Sequence, residues 1–259
     1  MAVLFFVRCE SLDRFINLKT SISFMYKTIN APIFLLEADI SPKPQIAEFI
    51  KNIPNIQYDF IKDEQLILHR TKYINILIKK AEKFKTIALW DVDIICNPKQ
   101  ILWAYKLALE GITLVYPYTA YGFWNLKSRA DSAKFEQSLN LDDLSSDPNT
   151  YDINYFTETF GGCYIANREN YIQCGGENEY FEGWGYEDWE RETRVQKMGY
   201  GVARIPGNVY HLYHPRGINS SSSNPKWGFT LQEFNRIKTQ LTKDQLQKYI
   251  NDFPWRGKL

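Results

Sequence analysis

Cysteine and histidine are scarce in this sequence, and long apolar runs are missing. Only four cysteines and three histidines occur among 259 residues, and no two cysteines form a Cys-x-x-Cys pair. We therefore expect reduced, mostly buried thiols rather than a disulfide framework. No segment approaches the roughly 20 apolar residues that a membrane-spanning helix needs. Residues 1–8 lack a basic leader and have too short an apolar run for a signal peptide. A cytoplasmic protein without a transmembrane segment is predicted.

A strong charge of either sign is also missing. The formal net charge is +1, which gives no reason to expect nucleic acid or an anionic membrane as a bulk partner. A phosphate ligand would need local cations or a metal. Aromatic residues are abundant, at 15% of the chain, and they could either fill a core or line a sugar-binding cleft.

The first half of the chain alternates between strand-like and helix-like apolar patterns. Strands are predicted at 3–7, 32–37, 56–61, 86–95 and 112–116, and helices at 12–25, 42–52, 70–84 and 100–109. This alternation predicts an α/β domain with a mostly parallel central sheet flanked by helices. Ligands of such sheets bind beyond the carboxyl ends of the strands. The polar residues at those ends are candidates to face one cleft: Arg8, Glu37, Asp39, Asp91 and Asp93.

The second half is less regular. Residues 118–155 are polar and predicted to be loop, either a binding insertion or a surface excursion. A strand is predicted at 160–166, where Gly161 and Gly162 would let a ligand or another backbone approach closely. A helix from 187 to 198, short strands at 202–205 and 209–213, and a long helix at 230–250 follow.

Two carboxylates interrupt the apolar run at 86–95. The run predicts one buried strand, so Asp91 and Asp93 would point to the same face. Two like charges placed in this way are costly unless a cation compensates them, and carboxylate oxygens suit magnesium or manganese. Alternatively, both carboxylates cap the next turn.

Two other stretches could also contact a charged ligand. Arg70 and Lys72, at a helix start, suit a diphosphate or form a solvated basic turn. His211 and His214 are two of the three histidines in the chain. They could turn towards one ion if the chain leaves its strand after Leu212, or they could lie at the surface.

The segment around Trp184 has features of a sugar site. Gly183 and Gly185 would give the indole a mobile mounting, suited to stacking on a sugar face. Glu187 and Asp188 follow in the first helical turn. Asp188 could act as a general base, or both carboxylates could simply complement the helix dipole.

Taken in order, these motifs resemble the metal-dependent glycosyltransferases with the GT-A fold, and most closely the β-1,4-galactosyltransferase family (glycosyltransferase family 7). The resemblance runs from Arg70 to Arg216. The matching motifs are Arg70-Thr71-Lys72-Tyr73-Ile74-Asn75, Asp91-Val92-Asp93, Phe160-Gly161-Gly162, Gly183-Trp184-Gly185-Tyr186-Glu187-Asp188 and His214-Pro215-Arg216. It implies a single GT-A domain over 1–259, in which 1–117 bind the nucleotide and 118–259 bind the acceptor and complete the metal site.

The resemblance also implies a metal site. Asp93, His211 and His214 would bind Mn²⁺ or Mg²⁺. His211 stands where the family has a Met, and this harder ligand should tolerate Mg²⁺ better.

The remaining matched residues would serve the two substrates. Asp188 would be the catalytic base, and Glu187 would orient the acceptor or the donor sugar. Trp184 and Tyr186 would contact the acceptor. The donor nucleotide would be contacted by a larger set: Arg8, Asp39, Arg70, Asp91, Gly161 and Gly162.

The predicted function is therefore the transfer of a hexose or N-acetylhexosamine, galactose or GalNAc, from a UDP-sugar with inversion. The acceptor would be a hydroxyl of a glycan or a lipid-linked glycan in polysaccharide biosynthesis, and peripheral membrane association would fit a lipid-linked acceptor. Thr159 stands where galactose-specific members carry Tyr, which could leave room for an N-acetyl group. Two alternatives are a retaining GT-A enzyme, because His214 to Gly217 matches a His-x-x-Gly pattern, and a catalytically inactive nucleotide- or glycan-binding domain.

Overall fold

The protein consists of two β-sheets with helices packed around them. The computed structural model describes every residue, 1–259. The strands are β1 (Ala2–Val7), β2 (Ile33–Asp39), β3 (Ile56–Lys62), β4 (Thr86–Asp91), β5 (Ile94–Cys96), β6 (Leu114–Tyr116), β7 (Phe123–Leu126), β8 (Tyr151–Ile153), β9 (Cys163–Asn167), β10 (Val202–Arg204) and β11 (Val209–His211).

Most of the helices connect these strands. They are α1 (Leu12–Thr28), α2 (Pro44–Ile50), α3 (Arg70–Lys80), α4 (Pro98–Leu109), α5 (Ala133–Ser138), α6 (Arg168–Gln173), α7 (Glu187–Lys197), α8 (Trp227–Asn235) and α9 (Lys243–Asn251). The first helix is capped by Ser11, whose side chain accepts a hydrogen bond from the Arg14 backbone N–H.

The large sheet confirms the predicted α/β architecture. Its seven strands run in the order β10-β6-β9-β4-β1-β2-β3. β4, β1, β2 and β3 pair in parallel, and β9 is antiparallel to both of its neighbours. Nearly every residue of β1, β2 and β4 is buried, as expected of strands that are covered on both faces. Strands from both sides of residue 117 share this sheet.

The predicted continuous strand at 86–95 is wrong. β4 ends at Asp91, Val92 and Asp93 form a turn, and β5 begins at Ile94 in the second sheet, whose order is β5-β11-β7-β8. Asp91 and Asp93 therefore do not share a face of one strand. The apolar run hides the break because both sides of the turn enter a buried core.

Three other boundaries differ from the predictions. The strand expected at 160–166 begins only at Cys163, after the two glycines. The terminal helix expected at 230–250 is divided into α8, a π-helical segment Arg236–Gln240, and α9. The stretch 118–155 contains β7, α5 and β8 in addition to turns.

The four cysteines are all buried and unpaired. None of the helices combines the length and the hydrophobicity that crossing a membrane requires.

The burial of β1 predicts a difference between two leucine truncations. Leu4→Ala removes a fully buried side chain of β1, the strand that lies between β2 and β4. The free energy of unfolding should therefore fall by about 2–5 kcal/mol. Leu102→Ala removes an exposed side chain of α4 and should change it by less than about 0.5 kcal/mol. Urea denaturation followed by circular dichroism measures both, and equal losses would contradict the assignment of this core.

Candidate active site

A cavity of about 510 Å³ opens at the carboxyl ends of β1 and β4. It brings together most of the residues that the sequence singles out, from six separate stretches of the chain. The predicted residues that line it are Arg8, Arg70, Asp91, Asp93, Gly161, Gly162, Trp184, Glu187, Asp188, His211 and His214.

Strand register places Asp93 beside the two histidines. His211 of β11 pairs with Ile94 of β5, directly after the turn that carries Asp93. The Leu212 N–H also donates to the Asp93 carbonyl oxygen, at 2.7 Å. His211 Nε2 lies 3.6 Å from Asp93 Oδ1, and His214 Nε2 lies 3.3 Å from Asp93 Oδ2. One potential ligand atom from each of the three residues lies within 4.8 Å of the other two.

The chemistry of these three groups fits a divalent metal. Burial lowers the pKa of His211 to about 4 and lowers the pKa of His214 as well, so both imidazoles are neutral at pH 7. His214 Nδ1 lies 2.9 Å from the Pro215 carbonyl oxygen. That oxygen can only accept, which fixes the proton on Nδ1 and leaves the Nε2 lone pair for an ion. One carboxylate and two imidazoles suit Mn²⁺.

Asp93 also has a guanidinium beside it. Arg14 of α1 donates from Nη1 to Asp93 Oδ2 at 3.0 Å. Burial alone would raise the pKa of Asp93, but His211, Arg14 and His214 together hold it below its usual value. The carboxyl group is therefore ionised and ready to bind a metal. Arg14 is a site residue that sequence reasoning missed, because nothing in the α1 pattern distinguishes it from a surface arginine.

Asp91 faces the other side of the turn. Its Oδ1 accepts from Arg70 Nη2 at 2.6 Å, and burial raises its pKa, with Asp93 adding to the rise and Arg70 opposing it. The second Arg70 nitrogen, Nη1, is buried and has no hydrogen-bond partner. Arg8, at the end of β1, donates to the Ala38 and Gln65 carbonyl oxygens and pairs with Asp63.

Glu187 and Asp188 begin α7 at the cavity wall. The Glu187 carboxylate accepts from the Gly185 N–H at 3.0 Å. Burial, with a further contribution from the charge of Asp188, raises the pKa of Glu187 to about 7. Asp188 Oδ1 accepts from Arg191 Nη1 at 2.8 Å. The two carboxylates thus differ in environment although they are adjacent in sequence.

The two glycines before β9 are required by close packing. A Cβ on Gly161 would lie 2.6 Å from Asp188 Oδ2, and one on Gly162 would lie 2.7 Å from the Phe123 ring. Gly162 also has a φ of +81°, which favours glycine. The sequence predicted the close approach of a ligand or another backbone at this pair. The groups that approach are side chains, the Asp188 carboxylate at Gly161 and the Phe123 ring at Gly162.

The prediction of a mobile mounting for Trp184 is not supported by the packing. Asn224 donates to the Glu182 and Trp184 carbonyl oxygens. A Cβ on Gly183 would lie 2.2 Å from the Asn224 side chain, and one on Gly185 would lie 2.3 Å from Thr230. The glycines let this segment pack tightly and hold Trp184, which is 38% exposed, at the cavity.

Four predicted residues lie outside the cavity: Glu37, Asp39, Lys72 and Tyr186. Lys72 is exposed on α3. Asp39 pairs with Lys43 at 3.3 Å and accepts from the Ile40 N–H. Glu37 accepts from Tyr58 and from the Lys43 N–H. Tyr186 stacks on Phe234, with ring centroids 5.4 Å apart. This geometry corrects the prediction that Tyr186 contacts the acceptor, because its ring supports the start of α7.

The ligand geometry predicts which histidines matter for metal binding. His211→Ala and His214→Ala should each weaken Mn²⁺ binding at least tenfold in calorimetry on the purified protein. His69→Ala should not, because His69 contacts the Glu179 carbonyl oxygen and lies outside the cavity. Since the pKa of His211 is about 4, wild-type affinity should fall as the pH drops towards 4, when protons compete for Nε2. Unchanged affinity in both cavity variants would contradict this site.

Comparison with known proteins agrees with the geometry. Residues 143–215 match a family model described as the N-terminal domain of galactosyltransferase, which is less than half of the chain. A search of curated protein sequences gives no match.

Solved structures with a similar fold are numerous. The catalytic domain of Drosophila β1,4-galactosyltransferase 7, in complex with xylobiose, has a TM-score of 0.54 at 18% identity, over 94% of this chain and 82% of that one. A point mutant of the same Drosophila enzyme, in complex with manganese, UDP-Gal and xylobiose, has a TM-score of 0.57 at 14% identity, with the same coverage of both chains. GalNAc-T7 with UDP, GalNAc and Mn²⁺ has a TM-score of 0.60 at 15% identity, over 96% of this chain and 50% of that one.

The family match and these structures confirm the predicted fold and the predicted resemblance. The protein has a galactosyltransferase-like GT-A fold.

Proposed function

We propose that this protein is a metal-dependent, UDP-sugar-using glycosyltransferase that inverts the anomeric configuration of the donor sugar. One observation carries the proposal: the Asp93, His211 and His214 group and the Asp188 carboxylate line the same cavity. A general base and a metal site in one cavity are the parts that displacement of a nucleoside diphosphate needs. The similar Drosophila structure contains manganese and UDP-Gal, which supports the same donor class and metal here.

The nucleotide diphosphate is held by this chain's own groups as well as by the ion. A divalent ion held by Asp93, His211 and His214 would supply Lewis-acid neutralisation of the leaving diphosphate. Arg70 lines the cavity and can present its positive charge to a diphosphate, while Nη2 stays bonded to Asp91. Arg8 contributes a further positive charge at the end of β1.

Asp188 performs the proton transfer. Its carboxylate takes the proton from the acceptor hydroxyl as that oxygen forms a bond to the anomeric carbon. The bond from the anomeric carbon to the diphosphate oxygen breaks at the same time, and its electron pair leaves with the UDP. Attack from the side opposite the leaving group inverts the anomeric configuration. Because its pKa is about 7, Glu187 can either donate a hydrogen bond to a sugar hydroxyl or accept one from it. Such a hydrogen bond would orient the sugar.

The donor sugar is galactose or N-acetylgalactosamine. Thr159 lines the cavity next to Phe160 and Gly161. Its side chain is shorter than a tyrosine, which leaves space for an N-acetyl group on the donor sugar. Its backbone is held by a hydrogen bond from its N–H to the Ala120 carbonyl oxygen and by one from Arg204 to its own carbonyl oxygen. UDP-Gal in one similar structure and GalNAc in another are consistent with either donor.

The acceptor is an extended glycan. A second cavity of about 490 Å³ shares Asn125 and Asn154 with the first, so the two are adjacent. It is lined by amide, carboxylate and ammonium groups and by Tyr155, which is 61% exposed. Hydrogen-bonding groups beside an exposed aromatic face suit a sugar ring. The similar Drosophila structures contain xylobiose, a disaccharide.

We further propose that the protein acts in the cytoplasm, which the four buried, unpaired thiols support. Peripheral membrane association and a lipid-linked acceptor stay predictions.

The proposed function predicts a donor-dependent and metal-dependent activity. Wild-type protein with Mn²⁺ should hydrolyse UDP-Gal or UDP-GalNAc slowly and transfer the sugar to an oligosaccharide. Asp188→Asn should lower kcat for transfer at least a hundredfold, while UDP binding stays within about twofold in calorimetry. Asp142→Asn, on the exposed surface, is the matched control and should keep full activity.

Three outcomes would contradict this proposal. NMR of a product that keeps the donor's configuration would favour the retaining alternative. Binding of UDP with Mn²⁺ but no turnover of any UDP-sugar would favour the inactive binding domain. Full activity of Asp188→Asn would remove the base from the mechanism.

The second cavity predicts an effect that depends on acceptor length. Tyr155→Ala should raise the KM for a tetrasaccharide acceptor severalfold and leave the KM for a monosaccharide nearly unchanged. Tyr121→Ala removes a tyrosine that is 46% exposed and lies outside both cavities, so it should change neither value. Equal effects of Tyr155→Ala on short and long acceptors would contradict an extended acceptor site.

A further inference from the structure

Behind Asp188 lies a buried ion pair that the mechanism above does not use. Arg191 and Glu177 are each about 1% exposed. Arg191 Nε donates to Glu177 Oε1 at 2.9 Å, and Nη2 donates to Oε2 at 3.0 Å. This two-pronged contact uses one edge of the guanidinium and leaves Nη1 on the other side, where it donates to Asp188 Oδ1 at 2.8 Å.

Glu177 is itself fixed from several directions. Tyr164 and Tyr171 donate their hydroxyl protons to its Oε1, at 2.6 and 2.7 Å. Asn75 of α3 exchanges two hydrogen bonds with the Glu177 backbone. The Arg191 guanidinium also lies over the Tyr164 ring, 4.6 Å from its centroid. These contacts hold the Arg191–Glu177 ion pair in place and connect α3, β9 and α7.

The two oxygens of Asp188 are in different situations. Oδ1 is tied to Arg191. Oδ2 accepts no hydrogen bond within the protein and lies over Gly161, where the absent side chain leaves room for it. Because a guanidinium is planar, fixing it on Glu177 also fixes the position of the Nη1 group that holds Asp188 Oδ1.

We propose that Arg191 and Glu177 are positioning residues that hold Asp188 so that Oδ2, and not Oδ1, receives the proton of the acceptor hydroxyl. This inference rests on the proposed role of Asp188 as the base. An arginine alone beside a base would weaken it, because a positive charge favours the ionised carboxylate. Glu177 supplies the opposite charge within hydrogen-bond distance of Arg191. The ion pair can therefore orient Asp188 while reducing its basicity less than an arginine alone would.

The same helix contains a matched control. Arg194 forms an equally buried pair with Glu190, with Nε 2.7 Å from Oε1, and it also donates to backbone carbonyl oxygens. It lies one turn after Arg191 and does not line the cavity. Replacing either arginine by lysine removes a buried guanidinium, but only Arg191→Lys disturbs Asp188.

The test compares Arg191→Lys with Arg194→Lys in the full chain with Mn²⁺ and UDP-Gal or UDP-GalNAc. One ammonium group cannot reach both oxygens of Glu177 and also Asp188, so Arg191→Lys should lower kcat about 10- to 100-fold. Its KM for the donor and its Mn²⁺ affinity should stay within about twofold. Arg194→Lys should lose similar thermal stability yet keep kcat within about threefold. Equal loss of kcat in both variants would show that Arg191 is only structural and would overturn the inference.

Glu177→Gln provides a second readout. It keeps the size of the side chain but removes the charge that fixes the Arg191 guanidinium, so kcat should fall while the KM for the donor stays within about twofold. Glu190→Gln makes the same change in the Arg194 pair and should keep kcat within about threefold. Equal losses of kcat in the two variants would overturn the role of Glu177.

Failure of the inference and failure of the proposed function give different results. If Asp188→Asn is fully active, the proposed base is wrong and the positioning role falls with it. If Asp188→Asn is inactive while Arg191→Lys behaves like Arg194→Lys, the proposed function stands and only the positioning role is wrong.

Discussion

The passage of the chain from one sheet to the other, at Val92 and Asp93, is the constraint on which the rest of the site depends. β4 pairs with β1 and β9 up to Asp91, and β5 pairs with β11 from Ile94. The turn therefore separates the two carboxylates. Asp91 ends β4, and Asp93 belongs to the turn itself. Asp91 meets Arg70 from α3, and Asp93 meets the histidines of β11 and the segment that follows it. One short turn thus separates the Arg70 side of the cavity from the histidine side.

Buried charge is balanced locally around this turn. Arg70 compensates Asp91, Arg14 contacts Asp93, and Arg191 lies between Asp188 and Glu177. An unpaired buried charge would be costly, and each of these carboxylates has an arginine as its partner. Glu187 is the exception, because burial and the charge of Asp188 together raise its pKa to about 7. It is the carboxyl group in this wall whose protonation can change near neutral pH.

Much of this arrangement could be predicted from the sequence, and the parts that could not have physical reasons. Alternating apolar patterns predicted the parallel strands, and the order of the motifs indicated which residues would meet. The break at Asp93 was hidden because Ile94 and Ile95 are as buried as Leu89 and Trp90. Periodicity reports burial but does not distinguish one sheet from another.

Side-chain partners were the least predictable feature. The pattern of α7 is highly charged, and Arg191 and Arg194 suggest a solvated face, yet both are almost completely buried. Glu190 is only 4 residues before its partner Arg194. Glu177 is 14 residues before its partner Arg191 and lies in a loop that no periodic pattern marks. Tyr186 shows the converse case. Its place in a matched motif suggested ligand contact, whereas the ring packs on Phe234.

The pairing of β5 with β11 also has a consequence for how the protein matures. Asp93 and His211 are far apart in the chain. The segment between β5 and β11 contributes three strands, β6, β9 and β10, to the large sheet. Contacts between such distant segments are costly in loop entropy and tend to form late. The ability to bind a metal should therefore appear only when both sheets are complete. An ion bound there would in turn favour the finished fold over every partly assembled state, so metal supply and folding yield would be coupled.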